Sequence, residues 1–483
     1  MKLRLVFNPA QSIQRDLAAW LAASIANPAD LETITFSQWD LTQTRLPGAS
    51  GNSPITVLLD WPSRAELPVG ALLLADWDGT TARPIGPATG LAPLLTRSPS
   101  TRFAVLLVDS TAAQATPRVL FQATVPTLLG RSRQQRRVVS TSVEALLWWL
   151  ELCEQRHQLV CIGQKSEARL QPPMQLRLHD RLHALILRLW SVLARILSRQ
   201  LGKGSNDWQI AIARLDPASG SPVVHHRLPP DRRGWYADPC AVVDRSSTWL
   251  FCERWDPGLQ RGVIDLFAIE PDRLRPQGTV LEEPFHLSFP RVFQHQGQWF
   301  ATVESSANRD VRLYEAVDFP FSWQLRRTLL TDEAWVDPIL MPFADGWALL
   351  VSTPALPSLP RETAPALQLF VASDLLQAPF LPHPCSPLLL DSSSGRNGGL
   401  LELQGQRWRV AQSIGYGGAY GRSLTLHRLD RLDGNRYDEV DDDLPWLRSL
   451  VRSLHASHLH TLNNCDGWIA VDYRRSYASW GFL

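Results

Sequence analysis

One short pattern recurs five times between Gly234 and Asp472: a tryptophan opens an apolar run that ends in a polar residue. The intervals between successive tryptophans are 50, 48, 61 and 60 residues. A period near 50 residues is typical of solenoids, arrays and propellers, so it limits the possible folds more than any other feature. The five tryptophans are Trp249, Trp299, Trp347, Trp408 and Trp468.

A second short strand pattern lies about ten residues before each tryptophan, and turn residues join the two. An Asp-Pro pair opens two of these strands, at Asp238 and Asp337. Further strand-like runs follow each tryptophan run. About four strands per repeat, five times over, predict an all-β five-bladed propeller over residues 205–475. The strand Trp208–Ala213 would close the ring from the N-terminal side, and a β-sandwich with core tryptophans is the alternative.

Composition and charge exclude several classes of protein. The net charge is +1, which gives no bulk field for nucleic acid. Six cysteines are scattered without a Cys-x-x-Cys pair, so free thiols in a reducing compartment are expected, with no zinc site. The N-terminus turns polar too early for a signal peptide, and no apolar run reaches the roughly 18–20 residues that span a bilayer. A cytoplasmic protein is expected, and its oligomeric state is left open.

Residues 1–165 differ from the repeats, because strand and helix patterns alternate there. Leu3–Phe7 and Phe103–Val108 are predicted strands, and residues 14–26 have helical spacing. This alternation predicts an α/β domain. Neither a P-loop nor a G-x-G-x-x-G pattern is present, so no cofactor and no metal are predicted.

A linker over residues 171–204 joins the two parts and contains one long amphipathic helix, Leu176–Leu201. Leucines follow one side of this helix and arginines the other. A basic amphipathic helix suits peripheral contact with an anionic membrane. The alternative is a helix that packs its apolar face on a neighbouring domain. Residues 476–483 are predicted to form a tail.

Several motifs between residues 205 and 475 resemble, in order and spacing, the N-terminal domain of plant glucosamine inositolphosphorylceramide transferases and its bacterial relatives. The resemblance rests on Trp235-Tyr-Ala-Asp-Pro, Val280-Leu-Glu-Glu-Pro-Phe-His-Leu-Ser-Phe-Pro, Glu304-Ser305, Ala411-Gln412 and Tyr416-Gly417. The sequence departs from the family at Ser413, where Asp is usual, and at 396–399, where Arg-Pro-Ala-Gly is usual. In the plant proteins glycosyl transfer belongs to a separate C-terminal domain, so the resemblance does not carry that activity over.

In the bacterial relatives a formyltransferase-like domain often precedes the propeller, and residues 1–165 fit that position. Formyltransferases need an Asn, a His and an Asp around the transferred carbon. Residues 72–129 contain neither His nor Asn. The resemblance therefore implies a degenerate formyltransferase-like domain, with formyltransferase-related sugar modification as a second alternative function.

The candidate site lies in the propeller, because the inner strand of each blade lines the central channel. Ala-Asp-Pro at Asp238 is similar to the base-bearing segment of five-bladed propeller glycosidases. Glycoside cleavage needs two carboxyl groups. We expect Asp238 as base or nucleophile, Asp337 as an orienting carboxylate, and Glu304 or Glu253 as the acid. The expected substrate-binding residues are His286, Arg396, Gln412 and Tyr416.

Two functions from different classes remain open at this point. One is glycosidic-bond chemistry by carboxylates at the channel mouth. The other is a non-catalytic glycan-binding or scaffolding module whose acids only hydrogen-bond sugar hydroxyls. Either one predicts a sugar or glycoconjugate ligand. The distance between the carboxyl groups discriminates the two, because glycosidases hold them about 5–9.5 Å apart.

Overall fold

A computed structural model shows an N-terminal α/β part followed by a β-propeller. It describes residues 3–7, 10–24, 31–35, 55–59, 61, 67, 69–86, 88–98, 100–109, 116–128, 130–163, 167–171, 177–187, 189, 208–216, 220–245, 247–353, 365–415 and 419–475. Tyr416, the tail 476–483 and most of 188–201 lie outside these residues. All six cysteines are free thiols, as predicted.

The N-terminal sheet mixes parallel and antiparallel strands, in the order β7-β6-β4-β3-β1-β2. Helices α1 and α3 pack on one face, where Leu17, Leu146 and Trp149 are fully buried among the strand side chains. The strands are β1 (Leu3–Phe7), β2 (Leu31–Thr35), β3 (Ile55–Leu58), β4 (Leu72–Trp77), β5 (Thr81–Pro84), β6 (Ser100–Leu107), β7 (Arg118–Pro126) and β8 (Arg169–Leu170). The helices are α1 (Ser12–Ser24), α2 (Leu91–Leu95) and α3 (Arg131–Gln155).

Four separate four-stranded sheets form most of the C-terminal part. The first contains β11 (Trp235–Asp244), β12 (Ser247–Asp256), β13 (Arg261–Ile269) and β14 (Leu274–Leu281). The second contains β15 (Ser288–His295), β16 (Gln298–Ser305), β17 (Asp310–Asp318) and β18 (Ser322–Leu330). The third contains β24 (Arg396–Leu403), β25 (Gln406–Gly415), β26 (Ala419–Leu432) and β27 (Tyr437–Asp442). The fourth contains β9 (Gln209–Leu215), β10 (Pro222–Leu228), β28 (His458–Cys465) and β29 (Trp468–Arg474).

The remaining tryptophan repeat does not form a separate four-stranded sheet, so the prediction of five such blades is wrong in its count. Strands β19 (Val336–Phe343), β20 (Gly346–Thr353) and β21 (Ala366–Ala372) pair in order, and we call them the fused unit. Its outer edge is split into β22 (Leu381–Pro382) and β23 (Leu389–Asp391). Prolines between these two pieces lack the N–H that a continuous ladder needs.

The fused unit joins the N-terminal sheet, which makes one 13-stranded sheet. Strand β23 pairs in parallel with β7, and Thr124 Oγ1 donates to Asp391 Oδ1 at 2.7 Å. An unpaired edge at β7 would expose N–H and C=O groups, and this pairing satisfies part of them. The two parts of the chain are therefore joined by a sheet as well as by the linker.

The chain ends of the propeller meet in the fourth sheet. Strand β9 pairs antiparallel with β29, so the strand predicted to close the ring does pair with the last repeat. Each repeated tryptophan lies on the second strand of its sheet or of the fused unit, and each packs in or against a hydrophobic core. The tryptophan repeat therefore marks the second strand of each unit, and both faces of that strand contact neighbouring sheets.

Two more helices complete the described chain: α4 (178–187) and α5 (Pro445–Leu454). Helix α4 is the described part of the predicted helix 176–201. Ala184 packs with Leu91 and Leu94 of α2 in one small core. Within the described residues, none of the helices is both long and apolar enough to cross a bilayer.

Candidate functional site

Three inner strands of the propeller begin with the same strained backbone. The residue before proline has φ between 49° and 52° at Asp238, Phe289 and Asp337. Each lies where the register with the second strand shifts, which marks a β-bulge. Positive φ at a residue other than glycine costs on the order of 1–3 kcal/mol and is concentrated at functional sites. The strain therefore marks these three strand starts for closer inspection.

A carboxylate from a neighbouring sheet holds two of these strained residues in place. Asp472 Oδ2, on β29, accepts from the Asp238 amide at 2.9 Å. Glu304 Oε2, on β16, accepts from the Asp337 amide at 2.9 Å. In both cases an acid on one second strand binds the inner strand of the next unit. This contact fastens neighbouring units at the centre of the propeller.

Glu253 occupies the same position in the first sheet but does not make this contact. The amide of Phe289, its expected partner, donates instead to Asp238 Oδ2 at 3.1 Å. Glu253 is 4% exposed, and its Oε1 has no hydrogen-bond partner among the described residues. Burial and the charge of Asp238, which contacts it, raise the pKa of Glu253 well above its usual range. Glu253 is therefore a buried carboxylic acid that favours its protonated form more strongly than an exposed glutamate does.

The pKa of Asp238 shifts in the opposite direction to that of Glu253, although the two side chains are equally buried. Burial raises the pKa of Asp238, but the charge of His460 and hydrogen bonds outweigh burial and lower it. His460 Nδ1 lies 3.1 Å from Asp238 Oδ1 and 3.1 Å from Asp472 Oδ2. His460 donates its hydrogen bond to Asp472, and Asp238 Oδ1 has no hydrogen-bond partner among the described residues. Two carboxyl groups in contact with pKa values shifted apart provide one proton donor and one base.

His460 carries the positive charge of this group. Burial lowers the pKa of His460, but Tyr420, Asp472 and Asp238 raise it well above its usual value. Its Nε2 lies 2.5 Å from the Tyr420 hydroxyl, and its ring lies 4.9 Å from the Trp208 ring. A charged imidazole uses both N–H groups here, one toward an acid and one toward the phenol oxygen.

Asp337 and Arg396 form a buried two-point ion pair. Arg396 Nε donates to Asp337 Oδ2 at 2.8 Å, and Nη2 donates to Oδ1 at 3.0 Å. The guanidinium also lies 5.3 Å from the centre of the Tyr420 ring. Burial and the charge of Asp337 raise the pKa of Glu304 to about 7. Asp337 is thus fully engaged, which suits an orienting role and leaves Arg396 bound to the protein.

The four predicted acids lie together in one network at the propeller centre. It runs from Glu304 through Asp337, Arg396, Tyr420 and His460 to Asp238 and Glu253. All four acids are at most 8% exposed, so they are enclosed and do not line an open mouth. A described cleft of about 370 Å³, lined by His295, Gln298 and Glu315 among others, contains none of them.

His286 covers Glu253 from the loop after β14. Its Nδ1 accepts from the Gly262 amide at 2.8 Å, which leaves the proton on Nε2. That Nε2 lies 3.5 Å from Glu253 Oε1. Burial lowers the pKa of His286, so the ring is neutral. The imidazole is 31% exposed and lies 5.9 Å from the Trp255 ring, so it borders both solvent and the acid.

Gly262 makes this close approach possible. A Cβ at Gly262 would lie 2.4 Å from Leu287 O and 2.9 Å from Glu253 Oε1. We expect Gly262→Ala to lower the free energy of unfolding by about 1–3 kcal/mol, because backbone must move to admit the methyl group. Urea unfolding measures this, with Gly258→Ala, whose nearest contact is a side-chain oxygen at 3.2 Å, as the control. Equal effects of the two changes would contradict the expectation.

The other predicted substrate-binding residues are Gln412 and Tyr416. Gln412 Nε2 donates to Asn397 O at 2.7 Å, while its buried Oε1 has no partner among the described residues. Tyr416 lies outside the described residues. His460 and Tyr420 are part of the network, but the sequence patterns did not point to either of them. The last repeat has no proline to mark its bulge, so its register could not be assigned from the sequence.

Asp238, His460 and Asp472 also place one potential metal-ligand atom each within 4.8 Å of one another. Asp472 already accepts from the amides of Asp238, His460 and Thr461 and from the imidazole. Its oxygens are used by these donors. The group therefore serves first as the fastening between the fourth and first sheets.

Residues 222–458 match the family model described as "Glucosamine inositolphosphorylceramide transferase 1, N-terminal". This confirms the resemblance predicted for the propeller part. The transferase of Oryza sativa subsp. japonica is 27% identical over 250 residues, which are 49% of this chain and 32% of that protein. The Arabidopsis thaliana transferase is 30% identical over 211 residues, 42% and 27% of the two chains. This chain thus spans about a third of the relatives that it matches.

Solved propeller structures also align with the chain. An exo-1,5-alpha-L-arabinanase from a bovine ruminal metagenomic library is 11% identical, with a TM-score of 0.38. The alignment covers 50% of this chain and 94% of that one. At this TM-score the likeness carries no conclusion about activity. The family match begins at residue 222, so it does not include strands β1–β8.

Proposed function

We propose that this protein handles carbohydrate through the central network of its propeller, with Glu253 and Asp238 acting on a glycosidic bond as acid and base. The observation that carries the proposal is Glu253. It is a buried acid whose pKa is raised well above its usual range, its Oε1 has no hydrogen-bond partner among the described residues, and it touches Asp238, whose pKa is lowered. A group of this kind donates a proton to a leaving oxygen.

Aromatic surface beside this acid supports a sugar ligand. Trp235 and Trp255 face each other across β11 and β12, with ring centres 5.9 Å apart and planes inclined by 2°. Both are half-buried, and Trp255 lies two residues beyond Glu253 on the same face of its strand. Flat indole surface suits the apolar C–H face of a sugar ring. The family match, to a domain of a sugar-transferring protein, supports the same ligand class.

In the proposed reaction the glycosidic bond enters between the carboxyl groups of Glu253 and Asp238 and separates them. Glu253 gives its proton to that oxygen as the bond to the sugar carbon breaks. Asp238, held ionised by His460, either attacks that carbon or takes a proton from the incoming hydroxyl. Asp337, fixed by Arg396, orients the sugar without transferring a proton.

One observation favours the second candidate function, a glycan-binding module without catalysis. The Asp238 and Glu253 carboxyl groups touch, whereas glycosidases hold theirs about 5–9.5 Å apart with substrate or water between. In this case the acids only bind sugar hydroxyls. A formyltransferase-related modification by the N-terminal part has no residue in the described chain to support it.

The propeller itself is proposed to be a ring of five units. The fused unit packs against the second sheet through Phe300, Trp347 and Phe370, and against the third through Ile339 and Leu400. This packing supports a blade position for the fused unit, which shares its outer edge with the N-terminal sheet.

Glu253→Gln tests both candidate functions. Release of the leaving group from aryl glycosides and nucleotide sugars would be measured alongside binding of the same sugars by calorimetry. We expect turnover to fall at least about 100-fold, since the amide cannot give up a proton, while binding is nearly kept. Glu282→Gln, which removes a half-exposed carboxylate directly after β14, is the control.

The outcomes separate the two candidates. Sugar binding without turnover in the parent protein, weakened by Glu253→Gln, would establish the binding module. Turnover that survives Glu253→Gln would show that another group supplies the proton. If the parent protein showed no sugar binding and no turnover, the carbohydrate proposal would be overturned.

A further inference from the structure

Helix α4 has two apolar faces, and only one of them is covered by the described residues. Ala184 and Leu187 are 7% and 6% exposed, and Ala184 packs on α2. On the opposite side lie five large apolar side chains with 50–73% of their surface exposed. They are Leu178, Leu182, Leu185 and Ile186 of α4 and Leu189, two residues beyond it, and we call them the leucine stripe. Scattered exposed leucines need no explanation, but a contiguous stripe marks an interaction surface.

The geometry of a helix places these side chains on one line. Successive residues turn by about 100°, so the leucine stripe covers roughly 100° of the circumference and is centred opposite Ala184 and Leu187. Among the described residues, one side of α4 packs on α2 and the other side is exposed. A helix that only had to pack on α2 would carry polar residues on its outer side.

The charges next to the stripe identify its partner. Arg177 and Arg181 are exposed and lie beyond one edge of the stripe. Over residues 176–201 the sequence has five arginines and one acidic residue, Asp180. A protein partner for a leucine stripe needs no such one-sided charge. An apolar stripe bordered by arginines is the pattern of helices that lie in the interface of an anionic bilayer.

We propose that the leucine stripe of α4 binds the surface of an anionic lipid bilayer. The leucines enter the boundary between headgroups and acyl chains, and the arginines contact lipid phosphates. The helix lies in the plane of the membrane and does not cross it. This attachment would hold the propeller beside the membrane, and it does not depend on the sugar chemistry proposed above.

Vesicle flotation of the full chain tests the proposal. The vesicles are phosphatidylcholine alone and phosphatidylcholine mixed with phosphatidylglycerol. We expect binding to the mixed vesicles, weakened by added salt, and much weaker binding to phosphatidylcholine alone. The triple change Leu182→Gln, Leu185→Gln and Ile186→Gln should lower the partition coefficient by roughly tenfold or more. Arg177→Gln and Arg181→Gln should each lower it about fivefold on mixed vesicles only.

A matched control removes exposed apolar side chains elsewhere. Val317→Gln with Leu381→Gln changes residues that are 63% and 59% exposed in the propeller, and it should leave vesicle binding unchanged. Because the changed side chains are exposed, the variants and the parent should have the same midpoint of thermal unfolding.

Three results would overturn the proposal. One is equal binding of the parent to neutral and anionic vesicles, or binding to neither. Another is unchanged binding of the triple variant. The third is a parent protein that sediments as a dimer and a triple variant that sediments as a monomer. The leucine stripe would then be the contact surface for a second copy of the chain.

Discussion

Replacing Arg396 by methionine should lower the free energy of unfolding by about 3–5 kcal/mol. The reason is the partner left behind. Asp337 is 2% exposed, and both of its carboxylate oxygens accept from Arg396. Methionine keeps much of the side-chain volume but leaves a carboxylate in the propeller centre without its cation. Removing one member of a buried pair is costly even where the pair as a whole adds little stability.

Chemical denaturation with a control on an exposed pair measures this effect. Arg428 and Asp430 form an ion pair 2.8 Å apart, with side chains 40% and 39% exposed. Arg428→Met should change stability by at most about 1 kcal/mol, because solvent screens that pair. Adding Asp337→Asn to Arg396→Met should recover part of the loss, since the amide removes the unpaired charge. Similar losses for Arg396→Met and Arg428→Met would contradict this account of the network.

The parts of the site that the sequence predicted share one property: a local signal marks each of them. Asp238 and Asp337 precede proline near a strand start, and Glu253 and Glu304 are the polar residues that end the apolar run of a tryptophan strand. Because a strand and its neighbour run antiparallel, these positions coincide at one end of each unit. The network around the four acids follows from this regularity.

The parts that the sequence did not predict depend on contacts between distant segments. Arg396 was expected to meet substrate, but it binds Asp337, 59 residues away. Tyr420 and His460 meet across two sheets, with no proline or spacing to align them. The pairing of β23 with β7 joins residues 267 positions apart at Thr124 and Asp391. Edge strands pair wherever geometry allows, so neither the sheet fusion nor the count of separate sheets was visible in the repeat.

The second large effect is a change in stability with pH at Glu304. Its pKa is raised from 4.5 to about 7 in the folded protein. A carboxyl group with a raised pKa binds its proton more tightly in the folded state than in the unfolded state. The contribution of Glu304 to stability is therefore greatest in acid, falls as the pH rises from about 4.5 to about 7, and is flat above. Between these limits the parent loses on the order of 3 kcal/mol through this group.

Glu304→Gln removes this loss while keeping the contacts. The glutamine oxygen can still accept from the Asp337 amide, and its NH₂ can donate to the Ser306 hydroxyl. The variant should therefore gain stability relative to the parent as the pH rises, by up to about 3 kcal/mol between about pH 5 and about pH 8. Urea unfolding at a series of pH values measures the difference, and Glu282→Gln at the surface serves as the control.

The electrostatic interaction between Glu304 and Glu253 also makes the Glu304→Gln variant gain stability relative to the parent as the pH rises. The charge of Glu304 is one of the causes that raise the pKa of Glu253, so removing that charge makes Glu253 easier to ionise in the folded protein. The penalty for deprotonating Glu253 then shrinks at high pH, and the variant again gains relative to the parent. A difference that stays constant across the series would mean that Glu304 is already ionised in acid. A difference that falls with pH would mean that its contacts with Asp337 and Ser306 outweigh burial, and the proton in the network would then belong to Glu253 alone.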